Sequence, residues 1–142
     1  MAANNRGAKD RENETPDETL TNLLRGTMAG LVRRDKADLS ARQLAIFLIC
    51  YLNDPPHTVR GLADALNVSR PAISRALDRL SQLELVRRKP DPVDRRSVLI
   101  QRTPAGNAFL RELRAIMNAA AAPKSPPKQT KSGRRMTAGS AA

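Results

Sequence analysis

Two groups of arginine residues are the side chains of this sequence best suited to binding a partner. One group lies between residues 70 and 79, interspersed with serine and apolar residues, and the other is the adjacent pair Arg95 and Arg96. A guanidinium group donates two parallel hydrogen bonds to the edge of guanine or to a phosphate. These residue types therefore indicate recognition of a nucleic acid, provided that the fold exposes both groups to solvent.

The overall charge favours the same class of partner. The 142 residues include 25 Lys and Arg against 14 Asp and Glu, a formal net charge of +11 at pH 7. Such a charge attracts polyanions, including anionic membranes, and ribosomal and chromatin proteins share it. The basic C-terminal segment has no amphipathic face with bulky anchors, which argues against a membrane partner. The aromatic content of 2% argues against single-stranded nucleic acid, so double-stranded DNA is the expected partner.

Neither an enzyme nor a cofactor-binding protein is expected. The sequence contains no phosphate-binding loop, no cluster of metal ligands and no nucleophile with a base at hand. Cys50 is the single cysteine, so an internal disulfide is impossible. Residues 1–14 are polar, without a hydrophobic signal core, and no apolar segment is long enough to span a bilayer. We therefore expect a cytoplasmic protein.

Apolar residues at helical spacing predict five helices, and a change of period after the fourth helix predicts a β-hairpin. The first helix is expected to begin with a capping box formed by Thr15 and Glu18, with Pro16 in its first turn. Because aromatic residues are scarce, aliphatic side chains are expected to build the core. The predicted helices run from Thr15 to near Arg34, from Ser40 to Asp54, from about Thr58 to Leu66, from Arg70 to about Leu83 and from Thr103 to Pro123, and the strands are Leu85–Lys89 and Ser97–Gln101.

The third and fourth helices are separated by only three residues, Asn67–Ser69, and the hairpin follows them directly. Two helices joined by so short a turn cross steeply, and the second can place its amino-terminal end in a major groove. The fold class is therefore mainly α with a small β-hairpin wing, a winged helix-turn-helix with flanking helices. Burial of Ile73, Ala76, Leu77 and Leu80 would turn outward Arg70, Pro71, Ser74, Arg75, Asp78 and Arg79.

The tip of the hairpin is expected to contact the minor groove. Arg95 and Arg96 are suited to its narrow channel, where negative potential is concentrated. Asp94 alone would repel phosphate, so we expect it to pair with an arginine and fix that side chain's rotamer. An exposed ion pair contributes about 1 kcal/mol or less, which makes this role positional more than stabilising.

Residues from about 20 to 120 resemble the MarR-type bacterial repressors. Leu66–Leu80 is similar to that family's recognition region, and Leu85–Arg88, Asp91–Ser97 and Gln101–Gly106 are similar to its wing and wing exit. The resemblance implies a homodimer on a pseudo-palindromic operator and repression relieved by a small ligand, bound between the DNA-binding part and the dimerisation helices. It also implies that Asp94 orients the wing arginine Arg96. The predicted DNA-contacting residues are Ser69, Arg70, Pro71, Ser74, Arg75, Arg79, Arg95 and Arg96.

Two positions depart from the family's pattern. Glu84 stands just before Leu85, where many members have glycine, so we expect the recognition helix to end in an altered way. Pro123 ends the last helical pattern early, whereas the family usually continues with a long helix and a further one that form the dimer. The size of the dimer interface, and of any effector pocket that the dimer completes, is therefore open.

The chain is expected to divide into a disordered arm (1–14), the winged-helix domain with its flanking helices (15–122) and a disordered basic tail (123–142). The tail is either a solvated linker or a source of non-specific phosphate contacts. The apolar stripes of the first and last helices are either core or a shared interface, and their position at the two ends of the domain favours an interface.

Alternatives also remain for two single residues and for the function. Cys50 is expected to be a buried, unreactive thiol, with oxidant sensing as the alternative. His57 is expected to serve a helix cap or lie at the surface, with metal binding as the alternative. The function is expected to be sequence-specific transcription regulation by a repressor. A nucleoid-associated protein with little sequence specificity is the alternative, and the ratio of specific to non-specific affinity separates the two.

Overall fold

The computed structural model describes residues 14–122, which contain five helices and one antiparallel hairpin in the predicted order. The arm and the tail, apart from Glu14, lie outside the described residues. The elements are α1 (Pro16–Arg33), α2 (Ala41–Leu52), α3 (Val59–Leu66), α4 (Arg70–Gln82), β1 (Val86–Pro90), β2 (Val98–Arg102) and α5 (Pro104–Ala121). The mainly helical fold with a two-stranded wing is confirmed. Within this part of the chain, no helix is long and apolar enough to cross a membrane.

Side-chain caps set the starts of the first two helices. The Thr15 amide donates to Glu18 Oε2 at 2.8 Å, and the Glu18 amide donates to Thr15 Oγ1 at 3.4 Å, which is the predicted capping box. The hydrogen bond from the Thr15 amide to the Glu18 carboxylate favours the ionised form of that carboxylate and therefore lowers the pKa of Glu18. Ser40 and Gln43 form a second capping box at the start of α2. Helix positions predicted from the sequence are thus fixed by local chemistry.

Aliphatic side chains build most of the core, as expected, but aromatic side chains occupy its centre. The rings of Phe47 and Tyr51 stack with centroids 4.3 Å apart, and Phe109 meets Phe47 edge-on at 4.9 Å. These three are all the aromatic residues of the chain. Aliphatic residues from α2, α3, α4 and the hairpin surround the cluster, including Ile46, Leu62, Ile73, Leu77, Leu80 and Ile100. Three aromatic residues are therefore enough to form the centre of this core, because the fold brings all of them into contact.

Helices α1 and α5 pack closely against each other. A Cβ atom at Gly30 would lie 2.5 Å from Ile116 Cγ2, so the approach of the two helices depends on glycine at that position. This contact leaves another face of α1 uncovered, and its apolar residues at four-residue spacing remain exposed. They are Leu20 (62%), Leu24 (61%), Met28 (42%) and Val32 (65%), which we call the α1 stripe. Within one chain, most of this stripe is not part of the core.

Recognition helix α4 ends in the arrangement usual for helices followed by glycine, so the expectation of an altered end is wrong. The Leu85 amide donates to Leu80 O at 2.9 Å, and the Glu84 amide donates to Ser81 O at 3.0 Å. Glu84 supplies the left-handed conformation that glycine would normally provide, with φ at 60°. Because the Leu85 amide belongs to this motif, strand pairing begins one residue later than predicted, with Val86 opposite Arg102.

Candidate nucleic-acid interface

The turn between α3 and α4 orients the recognition helix. Asn67 adopts a left-handed conformation with φ at 51°, and the Val68 amide donates a hydrogen bond to Ala63 O at 3.1 Å, which ends α3. Ser69 then caps α4, its Oγ accepting the Ala72 amide at 3.3 Å. The three-residue turn predicted from the sequence is therefore present, with a defined helix end on each side.

The outer face of α4 carries most of the predicted DNA-contacting residues. Ala72, Ile73, Ala76, Leu77 and Leu80 are buried against the core. The opposite side is polar: Ser69, Arg70, Pro71 and Arg75 are exposed, and Ser74 and Arg79 are half-buried. These six predicted residues thus lie on one accessible side, at or beyond the amino-terminal end of α4 and along its length.

The loop at the tip of the wing is held by two aspartates. Asp91 Oδ1 accepts the Val93 amide at 2.9 Å, and Asp94 Oδ1 accepts the Arg96 amide at 3.0 Å. Arg95 and Arg96 are both exposed. Among residues 14–122 neither arginine forms an ion pair with Asp94, whose carboxylate contacts the backbone instead of a guanidinium group. In the protein alone, Asp94 orders the peptide before the wing arginine and leaves both guanidinium groups available.

Arg88 joins the wing to the recognition helix, a role that the sequence analysis missed. Its Nη2 donates to Ser74 O at 2.8 Å and to Asp78 Oδ1 at 2.5 Å. The sequence contains an indication of this role, because side chains two residues apart lie on the same face of a strand. Val86 faces the core, so Arg88 faces the same side, toward α4. Its partner on α4 was not evident from local spacing.

The base of the wing is anchored to the end of α2 and to the segment before α3. The Ile100 amide donates to His57 O at 2.9 Å. Arg102 Nε donates to Cys50 O at 2.8 Å, and its Nη2 donates to Asn53 O at 2.9 Å. His57 is buried, with Nε2 3.1 Å from the carbonyl oxygen of Asn53, the C-cap residue of α2. Of its two expected roles, this contact agrees with the helix cap, and the surface position is wrong. Residues 14–122 contain no group of three or more His, Cys, Asp or Glu suited to a metal ion.

A buried hydroxyl connects the end of the wing to α5. Tyr51 Oη donates to Leu85 O at 2.6 Å and accepts the Thr103 amide at 2.9 Å. Thr103 Oγ1 donates to Glu84 O and accepts the Gly106 amide. A Cβ atom at Gly106 would overlap the Tyr51 hydroxyl, so only glycine fits there. This packing gives a physical reason for the Thr-Pro-Ala-Gly sequence at the wing exit.

A cavity lies between the α1–α2 connection and α5. It has a volume of about 490 Å³ and is lined by Arg34, Lys36, Leu39, Leu85 and Phe109, among others. The Arg34 guanidinium lies 4.7 Å from the centre of the Phe109 ring, and its Nη1 is 2.8 Å from Glu112 Oε2. The cavity therefore combines an apolar wall with two cationic side chains, both of which pair with the Glu112 carboxylate that also lines it.

Comparison with known proteins shows which family model and which solved structures the chain is similar to. Residues 37–97 match the model of the MarR family. No sequence among the curated proteins matches the chain. The fold is similar to that of wild-type MarR from E. coli, with 25% identity and a TM-score of 0.58, covering 72% of each chain. It is also similar to CouR from Rhodococcus jostii RHA1 bound to p-coumaroyl-CoA, with 25% identity and a TM-score of 0.55, covering 73% of this chain and 71% of CouR.

The fold is likewise shared with a DNA complex. In the structure of MepR from S. aureus bound to DNA, the identity is 20% and the TM-score is 0.54, over 72% of this chain and 76% of MepR. Residues 37–97, which match the family model, include the recognition helix, the first strand of the wing and its tip, and all of the predicted site residues lie in that range.

Proposed function

We propose that this chain, whose winged-helix region belongs to the MarR family of transcription regulators, is a sequence-specific, homodimeric repressor that acts in the cytoplasm. The observation that carries the proposal is the exposed polar side of α4, where arginines and serine lie opposite the buried face. The MepR–DNA complex supports DNA as the partner, because it shares this fold.

The two arginine groups have different roles in this proposal. Arg70 and Arg75 read base edges in the major groove, with Ser69, Pro71, Ser74 and Arg79 contacting bases or phosphates beside them. Arg95 and Arg96 enter the minor groove. Asp94 holds the backbone of the wing tip, so that the Arg96 side chain leaves it in a fixed direction.

The homodimer forms through the flanking helices. The α1 stripe is apolar and exposed, whereas α5 already covers the glycine face of α1. Apolar side chains at this density on one helix favour burial against a second copy. Two copies would then present two recognition helices to the two halves of a palindromic operator.

An effector binds in the cavity beside Phe109, between the flanking helices and the turn that ends α4. The apolar wall suits a ligand with an apolar part, and an anionic group of that ligand would compete with Glu112 for Arg34 and Lys36. The structure of CouR with p-coumaroyl-CoA supports this part of the proposal, since a protein of the same fold holds such a ligand.

DNA affinity of matched variants tests the proposal. Fluorescence anisotropy compares a duplex from the gene's own upstream region with a scrambled duplex across a salt series. We expect Arg75→Ala and Arg96→Ala to weaken specific binding by about 5- to 150-fold, the range for one base-reading arginine. Arg111→Ala removes the same charge from exposed α5 and serves as the control.

The same experiment tests the alternative, a nucleoid-associated protein, which the net charge of +11 favours. A regulator is expected to prefer its operator over the scrambled duplex by about 10³ or more. Equal and steeply salt-dependent binding to the upstream duplex and to the scrambled duplex would favour the architectural function. Absence of binding even at low salt would contradict both.

A further inference from the structure

One side chain of the wing contacts the recognition helix at the point where that helix faces outward. Arg88 lies in the middle of β1, and one guanidinium nitrogen bonds to both Ser74 O and Asp78 Oδ1. Of the side-chain hydrogen bonds within residues 14–122, these two are the ones that join β1 to α4. The contact therefore fixes the distance between the hairpin and the helix along their shared edge.

The wing needs such a contact because a two-stranded hairpin is only marginally rigid on its own. Its second strand is held at the base, through Ile100 and Arg102. The arginines at its tip lie beyond Pro90 and Val98, where strand pairing ends. Arg88 is the side-chain anchor of the first strand, two residues from that end. A small change in the angle between β1 and α4 at Arg88 would become a larger displacement of the arginines at the tip.

Asp78 has an unfavourable position for a protein that binds DNA. It is exposed on the outer side of α4, one turn after Ser74 and close to Arg75. A lone carboxylate there would be repelled by phosphates. The presence of a carboxylate here is explained if its pairing with Arg88 contributes more to binding through geometry than the negative charge costs.

We propose that Arg88 and Asp78 form a positioning pair, which sets the angle of the wing against the recognition helix so that Arg75 and Arg96 engage adjacent grooves together. This inference rests on the proposed function. The side chains of the pair are 33% and 59% exposed, and exposed ion pairs contribute little to folding stability. Variants of the pair are therefore expected to fold, and the effect is expected in DNA binding.

A double-mutant cycle between Arg88 and Arg96 tests the proposal. The probe is a duplex selected by the wild-type protein from a random-sequence library, with a scrambled duplex of equal composition beside it. In the wild-type background, Arg96→Ala is expected to weaken specific binding by about 5-fold or more. In the Arg88→Ala background, the same substitution is expected to cost less than about 3-fold, because the tip no longer reaches its groove.

Arg87→Ala is the matched control, because it removes one positive charge from the adjacent position of the same strand. Arg87 forms no hydrogen bond or ion pair through its side chain with any residue in the described range 14–122. The effects of Arg87→Ala and Arg96→Ala are expected to be additive. Arg88→Lys keeps the charge and is expected to restore part of the coupling to Arg96.

Asp78→Ala distinguishes positioning from simple charge. If the pair acted only through electrostatics, loss of this carboxylate would tighten binding to every duplex. The positioning role instead predicts weaker binding to the selected duplex, by about 3-fold or more, with unchanged or tighter binding to the scrambled duplex. Tighter binding to both duplexes, or additivity of Arg88→Ala with Arg96→Ala, would overturn the proposal.

Thermal unfolding of each variant confirms that affinities are compared between folded proteins. If the wild-type protein selects no sequence at all, the proposed function fails. If it selects a duplex and Arg96→Ala weakens that binding, while the cycle is additive, only the positioning pair fails.

Discussion

At the scale of single residues, burial decides the chemistry of Cys50. Its side chain is 1% exposed within the core. Removal from water raises the pKa of the Cys50 thiol to about 11, and the positive charge of Arg102 opposes this shift only in part. The expected buried thiol is confirmed by this position. A reactive thiolate of the kind that senses oxidants needs the opposite environment, with exposure and a lowered pKa.

Thiol alkylation tests this assignment. A rise in pKa from 9.0 to about 11 lowers the thiolate fraction at pH 8 by about 100-fold, and burial slows access further. We expect N-ethylmaleimide to modify native Cys50 at least about 100-fold more slowly than the urea-unfolded chain. Because the unfolded thiol ionises first, stability is expected to fall between pH 9 and 11, and less so in Cys50→Ala. Rapid modification of the native protein would contradict the assignment.

The residues at the proposed interface differ in how far the sequence predicts them. The outward positions of α4, such as Arg75, follow from helical periodicity alone, because the apolar residues define the buried side. The contacts of Arg88 with Ser74 and Asp78 join positions 14 and 10 residues apart, so they depend on how the hairpin packs against the helix. Asp94 was correctly associated with the wing tip, but its partner is a backbone amide, which residue types alone do not reveal.

At the scale of elements, the end of α4 depends on a residue poorly suited to its conformation. Glu84 has φ at 60°, which costs an L-residue about 1–2 kcal/mol relative to ordinary helical geometry. The neighbouring hydrogen bonds of Leu85 and Thr103 hold the peptide in place. The helix end, the start of the wing and the start of α5 therefore share one strained position.

Replacement of Glu84 by glycine is expected to stabilise the protein. Glycine adopts the left-handed conformation without the Cβ penalty, so we expect Glu84→Gly to raise the free energy of unfolding by about 1 kcal/mol. Urea denaturation measures the change. Glu84→Ala keeps the Cβ atom and is the control, with little or no gain expected. Equal gains for glycine and alanine would attribute the effect to the Glu84 side chain instead of the backbone.

The elements themselves were predicted well where local signals set them. The capping box at Thr15, the start of α2 after Ser40 and the turn between α3 and α4 were predicted correctly, whereas the capping box of Ser40 with Gln43 was not predicted. The strands were displaced by one residue because the end of α4 uses the Leu85 amide. The central aromatic cluster was missed because composition counts aromatic residues without locating them. Local chemistry thus predicts where elements begin, and packing determines where adjoining elements meet.

At the scale of the whole molecule, the proposed homodimer makes the flanking helices responsible for how many recognition helices act together. A single wing and recognition helix contact only one half-site, whereas a dimer gains affinity through its second contact. The α1 stripe extends from Leu20 to Val32, and Met117 of α5 is also exposed. Within residues 14–122, these exposed apolar side chains of α1 and α5 are the surface that we expect a second copy to cover.

Charge on the α1 stripe is therefore expected to separate the two copies. By sedimentation velocity at micromolar concentration, the wild-type protein is expected at about twice its chain mass of 15.5 kDa, and Leu24→Asp at the chain mass. The physical reason is that a carboxylate would be buried in an apolar interface without a partner. Asn22→Asp places the same charge elsewhere on the exposed surface of α1 and is expected to leave the dimer intact. A dimeric Leu24→Asp protein would show that the copies associate through another surface.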